Sequence, residues 1–292
     1  MERQIRLRAR GQIQELGPSM LVRAALPNPD IEYVSPFILV HHIQPALVEH
    51  GAYHIGVPAH PHKGFITFTY MLDGEFEHRD SAGGHGLIGS GGAQWMMTGS
   101  GIVHEEMIGK SFARKGGNLE MLQIWINIPA ADKVKDPWYK IMAPGDLPLI
   151  PETDQKSYLQ VLAGSYQGVI SPVQVSSPLF IYRVHLAPGA QITIRDIDDQ
   201  YNLFGYITSG EMAFGPGKII VNDGETILFS NLGDTLIPGN PGREAADLFL
   251  FGGKPITEPM VAMGPFVMNT QAEISQAYRD YQLGKFGHLP VP

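Results

Sequence analysis

Two short stretches of this chain carry metal-binding residue types at strand spacing: His60-Pro61-His62 and His104-Glu105-Glu106. Successive side chains of an extended strand point to opposite faces, so His60 shares a face with His62, and His104 with Glu106. Three imidazoles and one carboxylate then converge as four ligands. Imidazole nitrogen and carboxylate oxygen suit iron, manganese, nickel, cobalt, copper or zinc. Four protein ligands on an octahedral ion leave two positions for a substrate and dioxygen. Glu105 points the other way.

Strand parity carried on from His62 places Ile66, Phe68, Tyr70 and Leu72 on the histidine face. Ile66, Phe68 and Tyr70 are therefore the expected substrate pocket, an apolar and aromatic slot for a flat organic molecule. Asp73-Gly74 is a hairpin signal with a returning strand over 75–80. His78 and His85 lie in or after that hairpin and are not expected to be ligands. His41, His42, His50 and His54 fall in a proline-containing connection and are expected to be loop or supporting residues.

The elements that must hold these residues are strands. With 34 glycines, 23 prolines, 43% apolar and only 17% charged residues, the composition is that of a turn-rich, strand-rich protein with ample core. The absence of cysteine removes disulfides and thiolate ligands. A net charge of −8 argues against a general polyanion-binding surface, and direct nucleic-acid contact is not expected. Arg3, Arg6, Arg8 and Arg10 interleave with Ile5, Leu7 and Ala9, which reads as a half-buried first strand with a solvated basic face. There is neither a membrane-length apolar run nor a signal-peptide core after Met1, so a cytoplasmic protein is expected. The glycine clusters at 89–92 and 99–101 lack a strand-to-helix context and read as turns.

The alternating run 119–128 is expected to close a first barrel, and the proline-rich stretch 132–151 to link it to a second. Phe204-Gly205-Tyr206 through Gly210-Glu211 repeats the pattern of Phe68-Thr69-Tyr70 through Gly74-Glu75, 136 residues earlier. The same shift places Asp196 and Asp198 where His60 and His62 stand, and no histidine occurs between His185 and His288. The expected domains are thus 1–135, metal-binding, and 136–292, without metal ligands and ending in a helix. That helix opens on a capping box, Thr270 to Glu273, presents Ile274, Ala277, Tyr278 and Tyr281 on one face, and stops at Gly284.

His60-Pro61-His62-Lys63-Gly64-Phe65, the run Gln94-Trp95-Met96 leading into Gly101-Ile102-Val103-His104-Glu105-Glu106-Met107, and the tail from Gly264 to Ser275 together resemble the pirins, a bicupin family. The resemblance runs over about 36–287. It implies an all-β protein of two tandem cupin barrels (double-stranded β-helix, jelly-roll-like) with a C-terminal helix. It also implies one metal per chain, usually iron, held by the residues matching His60, His62, His104 and Glu106. Several bacterial pirins are flavonol (quercetin) 2,3-dioxygenases, whereas animal pirins are iron-dependent transcriptional co-regulators. In the first case a flavonol or related enol reacts with dioxygen at the metal and Glu106 is the catalytic base. In the second, a protein partner reads the metal state. Other cupin chemistry, isomerisation or decarboxylation, stays open on the same ligands. The chain departs from the family at Ile66 and Ala93, where pirins commonly carry acidic residues, which implies a more apolar pocket wall.

Overall fold

In the computed structural model, which describes residues 1–16, 20–173, 175 and 177–289, the period-two patterns become strands in two compact units. One is built from residues 13–23, 37–146 and 256–292, and the other from 1–12, 24–36 and 147–255. The sequence reading cuts the chain once, after residue 135. The units instead each gather three separated segments, because strands from both ends of the chain pair with partners remote in sequence.

The histidine-bearing unit contains a large antiparallel sheet, in the order Trp138–Met142, Ala93–Met97, Phe65–Asp73, Gly117–Asn127, Phe37–Val48, Leu21–Leu26, Ile13–Glu15. A smaller sheet runs Gly56–His62, Ile102–Ile108, Glu75–Asp80, His85–Gly89. Ile43, Met71 and Met121 of the large sheet pack against Phe76, Ile88 and Ile108 of the small one in a single apolar cluster. The result is a two-sheet jelly roll, with ladders that do not close into a ring.

The other unit repeats the large sheet. Its inner strands Glu225–Phe229, Asn202–Ser209, Ala246–Gly253 and Leu179–Leu186 follow the order of Ala93–Met97, Phe65–Asp73, Gly117–Asn127 and Phe37–Val48. Its core is a continuous cluster that includes Leu203, Phe229, Leu248 and Leu250.

Several expectations shift. Gly117–Asn127 does not close a barrel edge; it lies mid-sheet, between Phe65–Asp73 and Phe37–Val48. The expected linker supplies an edge strand, Trp138–Met142, paired with Ala93–Met97. The first strand, Ile5–Arg10, pairs with Glu225–Phe229 in the other unit's sheet. Arg3 leaves the solvated face altogether: it is buried and donates to the carbonyls of Gly233, Tyr201 and Asp198. His41 and His42 are not in a loop. Pro45 fits inside Phe37–Val48 because the pairing with Gly117–Asn127 is irregular there, so the ladder bond that proline cannot donate is not required.

The C-terminal helix, Gln271–Gln282, has the expected capping box. It docks in the histidine-bearing unit, not on the second-half barrel: Ile274 and Ala277 pack with Val103, Phe266 and Met268. A buried lysine fixes the same segment. Lys133 Nζ donates to the carbonyls of Gly64 and Val267 and to Asn127 Oδ1. No helix among the described residues is long and apolar enough to cross a membrane.

Candidate metal centre

His60 and His62 lie on Gly56–His62, and His104 and Glu106 on the neighbouring Ile102–Ile108, with His104 opposite His60 and Ile102 opposite His62. Strand parity within each stretch holds. Glu105 points away and binds Arg79, with Arg79 Nε 2.8 Å from Glu105 Oε1. The three imidazole rings sit at centroid separations of 4.7 Å (His60–His62), 4.2 Å (His60–His104) and 4.9 Å (His62–His104). His62 and His104 are buried.

The hydrogen bonds of the far ring nitrogens fix the near ones. His60 Nδ1 lies 2.8 Å from the carbonyl of Pro58, and His62 Nδ1 lies 3.3 Å from that of Pro265. Carbonyls only accept, so each Nδ1 carries the proton and each Nε2 a lone pair. The two Nε2 atoms nevertheless face each other at 3.1 Å. Two lone pairs that close with nothing between them repel; a shared cation turns the arrangement into an attraction. The third Nε2, of His104, is buried without a hydrogen-bond partner. Three unspent imidazole donors converging on one point fit a borderline transition-metal ion.

Electrostatics agree. Burial, with His60 nearby, pushes the His62 imidazolium down to about 3. Burial, together with His62, His60 and His78, holds His104 well below the ordinary histidine value. Both rings are therefore neutral at physiological pH, the form that ligates.

Glu106 is buried on the same face, and its Oε1 accepts from Gln94 Nε2. Thr69 Oγ1 is 3.4 Å from that oxygen and 2.5 Å from Gln123 Oε1, so its single proton goes to Gln123. Ligand-atom separations within 4.8 Å define two groups: His60, His62 and His104, and a second of His78, His104 and Glu106. The two groups share His104, Glu106 borders the same cavity as His60 and His62, and the hydrogen bond from Gln94 occupies Oε1 of its carboxylate.

Beside these groups lies a cavity of about 350 Å³, bordered by His60, His62 and Glu106 and walled by Leu39, Ile43, Met121 and Trp125. Ile66, Phe68 and Tyr70 are not in its lining. They are buried on the reverse face of Phe65–Asp73, where Phe68 stacks obliquely on Trp95 at 5.2 Å. The parity argument fails at Gly64. Its φ of +86° turns the chain between two strands of different sheets, so the count restarts at Phe65. A Cβ there would also stand 2.1 Å from the carbonyl oxygen of Val267. The odd-numbered residues face the site instead: Phe65 contacts His62, and Thr69 approaches Glu106. Ile66 and Ala93 thus leave the cavity wall unchanged.

Sequence reasoning missed a polar row across the large sheet. His41 pairs with Gln123, Gln123 with Thr69, and Thr69 with Gln94. His41 and Gln123 line the cavity, and burial pushes His41 down to about 4. It missed the pair His78 and Asp80 too, although both share parity with His104 and Glu106 across the adjacent strand. Both are fully buried, with His78 Nε2 2.9 Å from Asp80 Oδ2. His85 remains exposed beside Glu77, 3.0 Å away.

Residues 19–126 match the model of the Pirin family, and residues 181–287 that of the Pirin C-terminal cupin domain. A pirin-like protein of Solanum lycopersicum is 39% identical over 277 residues, covering 94% of this chain and 89% of that one. The crystal structure of a quercetin 2,3-dioxygenase from Acinetobacter baumannii superposes with a TM-score of 0.92 at 30% identity, over 98% of this chain and 99% of the other. The bacterial pirin YhhW from Escherichia coli, crystallised with nickel(II), has a TM-score of 0.63 over 86% of this chain and all of its own; at 17% identity that is a likeness of fold.

Proposed function

The chain belongs to the pirin family, and from that premise we propose that it is a mononuclear metalloenzyme: a dioxygenase that cleaves flavonols such as quercetin, or a related enol. The observation that carries the proposal is the convergence of three imidazole lone pairs beside a small apolar cavity. His60, His62, His104 and Glu106 hold one divalent transition metal per chain, iron(II) in the cell. Manganese, nickel, cobalt, copper and zinc suit the same donors. The other unit holds none, and the protein acts in the cytoplasm.

When bound, the metal supplies Lewis acidity toward the enol oxygen and the redox coupling that lets dioxygen react with a closed-shell molecule. The remaining work falls to the chain. At about 350 Å³, the cavity lies in the range of about 300–1,000 Å³ typical of ligand pockets. Leu39, Ile43, Met121 and Trp125 offer flat apolar walls that orient an aromatic enol and exclude water. Glu106 takes the enol proton at the oxygen that Gln94 leaves open. Gln123, held by Thr69, presents its amide N–H groups to a ligand oxygen. The A. baumannii quercetin 2,3-dioxygenase, alike over nearly the whole chain, supports this substrate class.

The test is oxygen uptake by metal-loaded protein offered quercetin and simpler enols. Uptake that disappears in Glu106→Gln supports the reading. A wild type that binds one metal but consumes no oxygen with any enol overturns the dioxygenase assignment and leaves the metal site standing. In that case the regulatory reading, with a protein partner sensing the metal state, takes its place.

A further inference from the structure

The pair His78–Asp80 has no task in the reaction above, yet it is among the most enclosed polar features of the unit. We propose that His78 and Asp80 form a positioning relay that fixes the tautomer and ring angle of His104, so that His104 enters the metal site with Nε2 already bare. The inference rests on the metal reading of His104.

The relay follows link by link. Asp80 Oδ1 accepts from the backbone N–H groups of Ala82 and Gly84, at 2.8 and 2.9 Å, and Oδ2 faces His78 Nε2. Burial alone raises the Asp80 carboxyl, but the bonds from His78, Gly84 and Ala82 outweigh it and hold the group below its ordinary value. An ionised carboxylate only accepts, so His78 Nε2 carries a proton. In the neutral ring His78 Nδ1 is then the acceptor. It stands 3.4 Å from His104 Nδ1, which must be the donor. The proton of His104 is thereby committed to Nδ1, and Nε2, which has no other partner, is left as a lone pair. Pro58 and Pro265 do the same for His60 and His62 through fixed backbone carbonyls. His104 has a side chain in that place, and a side chain must itself be held.

The surroundings are shaped for holding it. Tyr139 lies flat on His78, with ring centroids 4.2 Å apart and planes within 3°. Both glycines flanking His85 make room for this. A Cβ on Gly84 would meet Asp80 Oδ2 at 2.1 Å, and one on Gly86 would meet the Tyr139 hydroxyl at 3.1 Å. His78 is also a member of the second possible ligand group, with His104 and Glu106. Since Asp80 engages His78 Nε2, His78 would have to ligate through Nδ1 in that rival, which takes this atom away from His104.

The experiment has two arms. In metal-free wild-type protein, long-range 15N–1H ring correlations should show His104 protonated at Nδ1 and His78 at Nε2. His104 protonated at Nε2 overturns the proposal whatever the protein does with metal. In the second arm, zinc(II) affinity is measured by chelator competition. His78→Phe keeps the stack on Tyr139 but removes the acceptor. It should weaken zinc binding about 10- to 100-fold, the usual effect of losing a partner behind a ligand, and release the His104 proton to Nε2. His78→Gln, which restores an acceptor oxygen, should recover most of the affinity. Asp80→Asn should fall between them. Should His78→Phe fail to fold, Asp80→Asn and the wild-type spectrum decide alone. Unchanged zinc affinity in folded His78→Phe overturns the relay, as does a zinc-induced 15N shift marking His78 Nδ1 as a ligand. A wild type that binds no zinc sinks the metal reading instead, and the tautomer measurement still reads the relay.

Discussion

The two units share a sheet and differ in what faces it. In the histidine-bearing unit, Gly56–His62 and Ile102–Ile108 pair along most of their length and join Glu75–Asp80 in a sheet of four strands. In the other unit, the segment that the 136-residue repeat aligns with Gly56–His62, residues 192–198, forms no strand and makes one isolated bridge, Ile194 to Leu236, with Gln191 bridging Gly239 just before it. Asp196, where the repeat expects an imidazole, takes a left-handed φ of +59°. A cavity of about 530 Å³ is present there, lined by Phe180, Tyr182 and Tyr201 together with Arg195, Asp196 and Asp198, and its lining contains no histidine. Keeping the large sheet has therefore not kept the ladder that carries three imidazoles in the histidine-bearing unit. The small sheet is what brings the three ring nitrogens together, and it also supplies the acceptors behind two of them, the Pro58 carbonyl and His78, while the third comes from Pro265.

The sharpest way to break this contrast is to count metals. His62→Ala or His104→Ala should empty the protein by elemental analysis and reduce oxygen uptake to background, whereas Asp196→Ala and Asp198→Ala should leave one equivalent in place. Two tightly bound equivalents in the wild type would contradict the division of labour. Next in size is the carboxylate. Glu106→Gln should lower turnover about 10²- to 10⁴-fold, the usual contribution of a positioned base. Glu105→Gln loses only its pair with partly exposed Arg79 and should shift stability by under about 1 kcal/mol. If the two effects are reversed, the strand register is off by one residue.

A third comparison concerns buried cations, of which each unit has one that holds a distant piece of chain. Lys133 secures Val267 in the histidine-bearing unit, and Arg3 secures the N-terminal segment in the other. Lys133→Met strands buried oxygen acceptors and should cost about 3 kcal/mol in urea unfolding, whereas Arg3→Met leaves acceptors that are only part-buried and should cost about 1 kcal/mol. Metal affinity should fall only for the lysine variant, since Gly64 adjoins the ligand strand.

The mildest test is pH. Folded His62 titrates at about 3, against about 6.5 for an unfolded histidine. Between those values the unfolded chain takes up a proton that the fold refuses. Stability of metal-free protein is therefore fully present above about 6.5 and falls as pH drops, by about 1.4 kcal/mol per unit for this one group. Equilibrium unfolding at pH 7, 6 and 5 should show the slope, to which buried His41 and His104 add in the same direction, and His62→Gln should reduce it by the share of one histidine.

What the sequence made legible was regularity inside one strand. The pairs His60/His62 and His104/Glu106 needed only an alternating count, and so did the outward turn of Glu105. The same count applied to His78 and Asp80, but a pair that supports a ligand carries no signature apart from the ligand it supports. Phe68 and Tyr70 went to the wrong face because one glycine restarts the alternation, and a turn's angle is not written in residue types alone. The row Gln94, Thr69, Gln123 and His41 was invisible for another reason: it exists only once four remote strands are in register. The three-segment make-up of each unit is likewise a product of pairing between distant residues.

The carbonyl that fixes His62 belongs to Pro265, in the last segment of the unit to be made. During synthesis, all four ligand residues emerge long before it. A nascent chain can thus display its histidines for most of its translation without the shell that orients them, and the repeat-related second sheet is complete before the metal pocket is. Chains stalled after residue 255 should expose the ligand strands to protease and take up no metal, while chains extended through the C-terminal helix should do both the reverse. In this unit, then, the strands that bear the imidazoles are made well before the segment that sets the proton of one of them.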